Sequence, residues 1–138
     1  MRIMAIDYGD AHTGIAISDP TGLLAGFTTV INNRRQEVVV EQVTLLAKEH
    51  GAEELVLGHP VNMDGTLGPR SEKAKAMKAL LEEATALPVV LWDERRTTID
   101  AHNILFNSGK NAKQRKKVVD AVAASLILEG YLTFKKSH

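Results

Sequence analysis

Three acids spaced widely along the chain, Asp7, Glu94 and Asp120, are of the type that holds hard divalent cations. Asp7 ends the apolar run 2–7 (RIMAID). Strand residues alternate faces, so Ile3, Ala5 and Asp7 share one. A carboxylate continuing a buried face needs a metal, a cationic partner or local hydrogen bonds. The plainer role is a cap on the turn before Gly9. Asp93 and Glu94 close another strand and precede Arg95 and Arg96, either as site acids or as solvated ion pairs. Asp120 is spaced from Ala123, Ala124, Ile127 and Tyr131 so that it falls on or beside a buried helical stripe. It also suits the start of a helix, where an acid complements the macrodipole. Together the three have a chemical logic. Sites gather at strand carboxyl ends in sheets with parallel strands. Three oxygen ligands suit Mg²⁺ or Mn²⁺, and two such ions ~3.5–4 Å apart can drive phosphodiester hydrolysis.

The elements that must position these acids follow from hydrophobic periodicity. Short apolar runs at 2–7, 13–18 and 25–31, with the turn Asp19-Pro20-Thr21-Gly22 between the last two, predict an antiparallel meander. Residues 35–50 place Val39, Val43, Leu46 and Ala47 on one helical face, and Gly51 ends that helix. A strand at 53–58 leads into the loop 59–68 (HPVNMDGTLG). Pro69 suits the first turn of a helix over about 69–86, with Ala74, Met77, Leu81 and Ala84 on one face. A fifth strand at 88–93, a short helix at 97–107, a basic loop and a last helix at 117–133 complete the order βββαβαβαα. The last helix is expected to bury Val119, Val122, Ala123, Leu126 and Ile127. Hairpins can be antiparallel, but crossover helices return strands in parallel. The expected fold is α/β: a mixed five-stranded sheet, three antiparallel strands then two parallel, flanked by helices.

Composition bounds the function. The chain has 138 residues, the size of one domain. Its 17 Lys+Arg balance 17 Asp+Glu, so bulk charge cannot hold a polyanion and only a local patch could. The absence of cysteine excludes disulfide scaffolds, thiolate zinc sites and thiol nucleophiles. The acid at position 7 interrupts any signal-peptide core, and no apolar run approaches the ~18 residues of a membrane span. A cytoplasmic protein is expected. The segment 109–117 (GKNAKQRKK) holds Lys110, Lys113, Arg115, Lys116 and Lys117 and no acid. Because the chain is neutral overall, the rest carries the balancing −5. This concentration beside Asp120 suits contacts to nucleic-acid phosphates. The plainer alternative is a solvated loop.

His12 and His59 flank the candidate site, and the 59–68 loop brings Asn62 and Asp64 near it as a possible lid or a plain tight turn. No histidine pair has metal-ligand spacing. Gly9 and Gly14 have phosphate-loop spacing, but Ile15-Ala16 stands where such a loop needs Lys-Ser/Thr.

The segments DYGDAHTGIAISD (7–19), LVLGHPVNMDGTLGPRS (55–71), VVLWDERRTT (89–98) and VVDAVAASLILEGYL (118–132) resemble the YqgF family, also called RuvX, of RNase H-like nucleases. They run in family order over nearly the whole chain. The resemblance implies one RNase H-like domain over residues 1–138 and a metal-dependent nuclease related to Holliday-junction resolvases, implicated in 5′-end maturation of pre-16S rRNA. It places the acidic triad on Asp7, Glu94 and Asp120, with Asp93 as an accessory ligand, and Mg²⁺ or Mn²⁺ as cofactor. Lys110, Lys113, Arg115, Lys116, Lys117, Arg95 and Arg96 are the expected contacts to RNA or branched DNA, with no membrane partner and a monomer or weak homodimer. The chain has Ala11-His12 where the family often has Lys-Arg, which removes two cations near the phosphate path. It has Gly58-His59-Pro60 where Gly-Leu-Pro is common. Alternatives are a non-catalytic nucleic-acid-binding module, a Holliday junction resolvase and a nucleotide phosphotransferase.

Overall fold

Apolar residues in β1 (Ile3–Asp7) and β2 (His12–Ser18) are packed on both faces, as a central strand pair requires. The computed structural model describes residues 1–19, 25–59, 68–93 and 112–137, without the side chains of 25, 112–120, 136 and 137. β3 (Ala25–Asn32), α1 (Gln36–His50), β4 (Glu54–His59), α2 (Pro69–Thr85), β5 (Val89–Asp93) and α3 (Ala112–Ser137) complete the described elements. The sheet order is β3-β2-β1-β4-β5. β2 is antiparallel to β1 and β3, whereas β4 runs parallel to β1 and β5 parallel to β4. This is the mixed sheet expected from the periodicity. The expected short helix at 97–107 lies outside the described residues.

Strand alternation divides the core. Met4, Ile6, Ile15, Ile17, Leu55 and Leu57 pack with Val39, Val43 and Ala47 of α1 and Ala74, Met77 and Leu81 of α2. Ile3, Ala5, Ala16 and Val56 face Ala124, Ile127, Leu128, Tyr131 and Leu132 of α3. The small side chains of Ala5, Ala16 and Ala124 leave room for α3 to approach the sheet. α1 ends in a Schellman motif. Gly51 has φ 67°, a conformation open to glycine, and the Ala52 N–H donates to the Ala47 carbonyl oxygen at 2.9 Å.

Three expectations about helices need correction. α3 begins at Ala112 rather than 117, so residues 112–117 of the basic segment are helix and not loop. Its alanine, lysine, glutamine and arginine are all strong helix formers. The buried stripe is also rotated: Ala124, Leu128, Tyr131 and Leu132 are buried with Ala123 and Ile127, while Val122 and Leu126 are only half-buried. On α2, Ala84 is exposed, because the inward face steps by four from Met77 to Leu81 and on to the half-buried Thr85.

The C-terminal part of α3 is fixed at the start of β4. There the Tyr131 hydroxyl donates to Glu54 Oε1, and Lys135 Nζ donates to Glu54 Oε2 at 2.9 Å. Glu54 is buried, so these donors compensate its lost hydration. Burial, with the Glu54 carboxylate beside it, raises the Tyr131 pKa above its usual 10.0. The folded state thus favours the neutral phenol. That contribution is complete below about pH 10 and declines as the pH climbs toward the raised folded value. Between pH 10 and 11.5, wild type should lose up to about 1.4 kcal/mol per pH unit that Tyr131→Phe retains. Urea denaturation across that range checks the difference, and parallel curves would reject the coupling.

Candidate active site

Asp7 is the last residue of β1 and lies half-buried at its carboxyl end. Ile3 and Ala5 precede it on the face that α3 covers. Its partner in register on β2 is Gly14, and on β4 Gly58 follows Leu57, the partner of Ile6. Bare backbone therefore flanks the carboxylate on both sides. Among the described residues, no cation or hydrogen-bond donor engages the Asp7 carboxylate. A half-buried anion without such compensation suits a divalent-ion ligand, and its hard oxygens suit Mg²⁺ or Mn²⁺.

The direction of α3 brings a second acid to this level. Tyr131 sits at Glu54, and Glu54 pairs with Ile3. Asp7 is four strand residues beyond Ile3, about 13 Å along β1. Asp120 is eleven helix residues before Tyr131, about 16 Å back along α3. The α3 backbone at 120 thus lies near the height of Asp7. The Asp120 side chain is outside the described residues, as are those of Lys113, Arg115, Lys116 and Lys117, whose backbones form the first turns of α3. Glu94, Arg95, Arg96, Lys110, Asn62 and Asp64 also lie outside the described residues. Among the described residues, no three His, Asp or Glu side chains cluster as a metal site.

Asp93 is brought together with a different partner. It pairs in register with His59, and both continue the face packed by Leu57 and Leu91 against α1 and α2. His59 Nε2 lies 2.6 Å from Ser71 Oγ, on the first turn of α2. This fully buried Ser71 was missed in the sequence because its partner is twelve residues away across a loop. His12 follows the alternation of Gly14 and Ala16 onto the face of Asp7, with its Nδ1 2.6 Å from the Asn32 carboxamide oxygen.

Gly9 makes the turn beside Asp7 possible. A Cβ there would fall 2.4 Å from the His12 carbonyl oxygen, and that backbone cannot rotate away like a side chain. Gly9→Ala should therefore open the turn at a cost of about 1–3 kcal/mol. Displacement of Asp7 should then lower activity beyond the loss of folded protein. A thermal melt and a cleavage assay on the same preparation separate the two effects, and an unchanged melt would contradict the close approach.

A second group of charges meets at the same edge. Asp10 Oδ1 accepts from Lys73 Nζ at 3.2 Å, and Arg70 Nη2 lies 3.8 Å from Oδ2. Lys73, then Arg70, hold the Asp10 carboxyl below its usual pKa of 3.8, with Arg34 contributing at longer range.

Comparison with known proteins fixes the family. The chain matches RuvX, described as Holliday junction resolvase, over residues 1–134. The chain belongs to the RuvX family. A RuvX relative from Halothermothrix orenii is 43% identical over 135 residues, covering 98% of this chain and 96% of its own. One from Listeria monocytogenes is 44% identical over 134 residues, covering 96% and 97%. Both carry the name "Putative pre-16S rRNA nuclease". Among solved structures, Thermus thermophilus RuvC in complex with Holliday junction substrate superposes with a TM-score of 0.65 at 14% identity, covering 99% of this chain and 96% of that one. A ROK hexokinase from Thermus thermophilus gives 0.52 at 22% identity, covering 75% of this chain and 38% of that one. These two likenesses describe the RuvX fold alone. Among the described residues, no helix is long and apolar enough to cross a membrane.

Proposed function

We propose that this chain is a divalent-metal-dependent nuclease acting on structured nucleic acid, with 5′-end maturation of pre-16S rRNA as its reaction. The observation that carries this reading is Asp7, half-buried and uncompensated among the described residues, at the carboxyl end of the central strand β1. The names of the relatives that match nearly end to end support an rRNA substrate. Asp7, Glu94 and Asp120 would hold Mg²⁺ or Mn²⁺, which supplies Lewis acidity at the phosphodiester and makes water a competent nucleophile near neutral pH. β1 gives Asp7 a rigid mount, hydrogen-bonded on both sides by β2 and β4. The basic first turns of α3 would hold the phosphate backbone across the same edge. Branched DNA is the second reading, favoured by the family's description as Holliday junction resolvase.

The test is cleavage of pre-16S rRNA and of a four-way DNA junction, each with Mg²⁺, Mn²⁺ or EDTA. Metal-dependent cutting of the RNA is expected. Cutting of the junction alone would select the second reading. Salt-sensitive binding without any cutting would leave a non-catalytic module.

A further inference from the structure

Asp10 lies in the β1–β2 turn, three residues beyond Asp7. Lys73 and Arg70 reach it from the first turns of α2. Arg34 lies in the link between β3 and α1, two residues after Asn32, which pairs with His12. Because β1, β3 and β4 run in the same direction, the turn, this link and the start of α2 all fall at the sheet edge that ends in Asp7.

The charges are unbalanced. Two cations contact one acid, with Arg34 acting on it at longer range, and Arg70, Lys73 and Asp10 are each more than half exposed. A single carboxylate shared between two cationic side chains at 3.2 and 3.8 Å leaves most of their donors to solvent. Exposed pairs of this kind add little to stability. The arrangement does concentrate exposed positive charge beside the candidate site, in a chain whose net charge is zero. It lies by α2, on the side of the sheet opposite α3 and its basic first turns.

We propose that Arg34, Arg70 and Lys73 form a second phosphodiester-backbone contact, so that a nucleic-acid strand crossing the Asp7 edge is held on both sides of the sheet, with Asp10 as the counter-ion that phosphate displaces. This deepens the nuclease reading and rests on it. The contact reads no sequence. Its signature is electrostatic: each phosphate contact contributes about 0.7 to 0.9 to the slope of log affinity against log salt.

The experiment uses a labelled RNA hairpin with a single-stranded 5′ extension and the full chain carrying Asp7→Asn, so that binding is read without cutting. Adding Arg34→Gln, Arg70→Gln and Lys73→Gln together should reduce the slope by about 2 and weaken binding about tenfold at low salt. Adding Asp10→Asn instead should tighten binding severalfold, because the cations lose their competitor. Lys48→Gln, near the end of α1, should change neither quantity. If the parent binds but the triple variant keeps its slope and affinity, the proposed contact is wrong and the nuclease reading stands. If Asp10→Asn weakens binding or leaves it unchanged, the cations serve the turn alone and the proposal also fails. If the parent does not bind and wild type does not cut, the nucleic-acid reading falls and takes this contact with it. Arg34→Gln alone, which leaves both Asp10 ion pairs intact, should lower the slope by about 0.8 and guards against misfolding of the triple variant.

Discussion

An Asp7→Asn chain should fold normally and lose metal-dependent cleavage by at least about 100-fold, the upper range seen when even an outer-shell partner of a metal is removed. Asparagine has nearly the shape of aspartate but offers a neutral carboxamide. β1 is held by its neighbours on both sides, so the substitution leaves the strand in place. The Asp7 carboxylate is half-buried with no cationic partner among the described residues, so a neutral carboxamide of the same shape breaks no ion pair among them. In EDTA the variant should therefore melt no lower than wild type, and Mg²⁺ should raise the melting temperature of wild type only, since a ligand stabilises the state that binds it. Cleavage and melting curves measured together check both halves. Undiminished cutting by the variant would remove Asp7 from the site.

The second large effect concerns stability. Leu128 is fully buried between α3 and the sheet, within the group formed by Ile3, Ala5, Ala16, Val56 and Ile127. Leu128→Ala should cost about 2–5 kcal/mol, from lost transfer energy and the cavity left behind. For a chain of this size that lowers the melting temperature by about 10 °C. Because α3 also carries Asp120, loss of cleavage should follow the melt, and activity per folded molecule well below the midpoint should change little. A loss of activity at temperatures where the variant is fully folded would mean that Leu128 also sets the height of α3 over Asp7.

The sheet was legible because alternation and apolar runs are local. Ile3–Asp7, His12–Ser18 and Val89–Asp93 fall within a residue of their expected bounds, and Gly51 and Pro69 stand at the ends expected of them. The basic segment before Asp120 was misread because its charge suggested solvent, while its helix propensity carried the helix back to Ala112. Glu54 was not singled out, because its partners Tyr131 and Lys135 are 77 and 81 residues away. The Asp10 ion pairs are equally remote, with Lys73 63 residues along the chain. The place of Asp7 at the end of β1, on the face of Ile3 and Ala5, was legible, but its setting between Gly14 and Gly58 needed the strand order.

The anchor of α3 on Glu54 and the acid at Asp7 occupy opposite rims of one sheet. Enzymes often trade robustness for turnover when the same residues serve both. Here the two demands are separated by the length of a strand. Selection, or an engineer, is free to harden the rim around Tyr131 and Lys135 without touching the rim that carries Asp7.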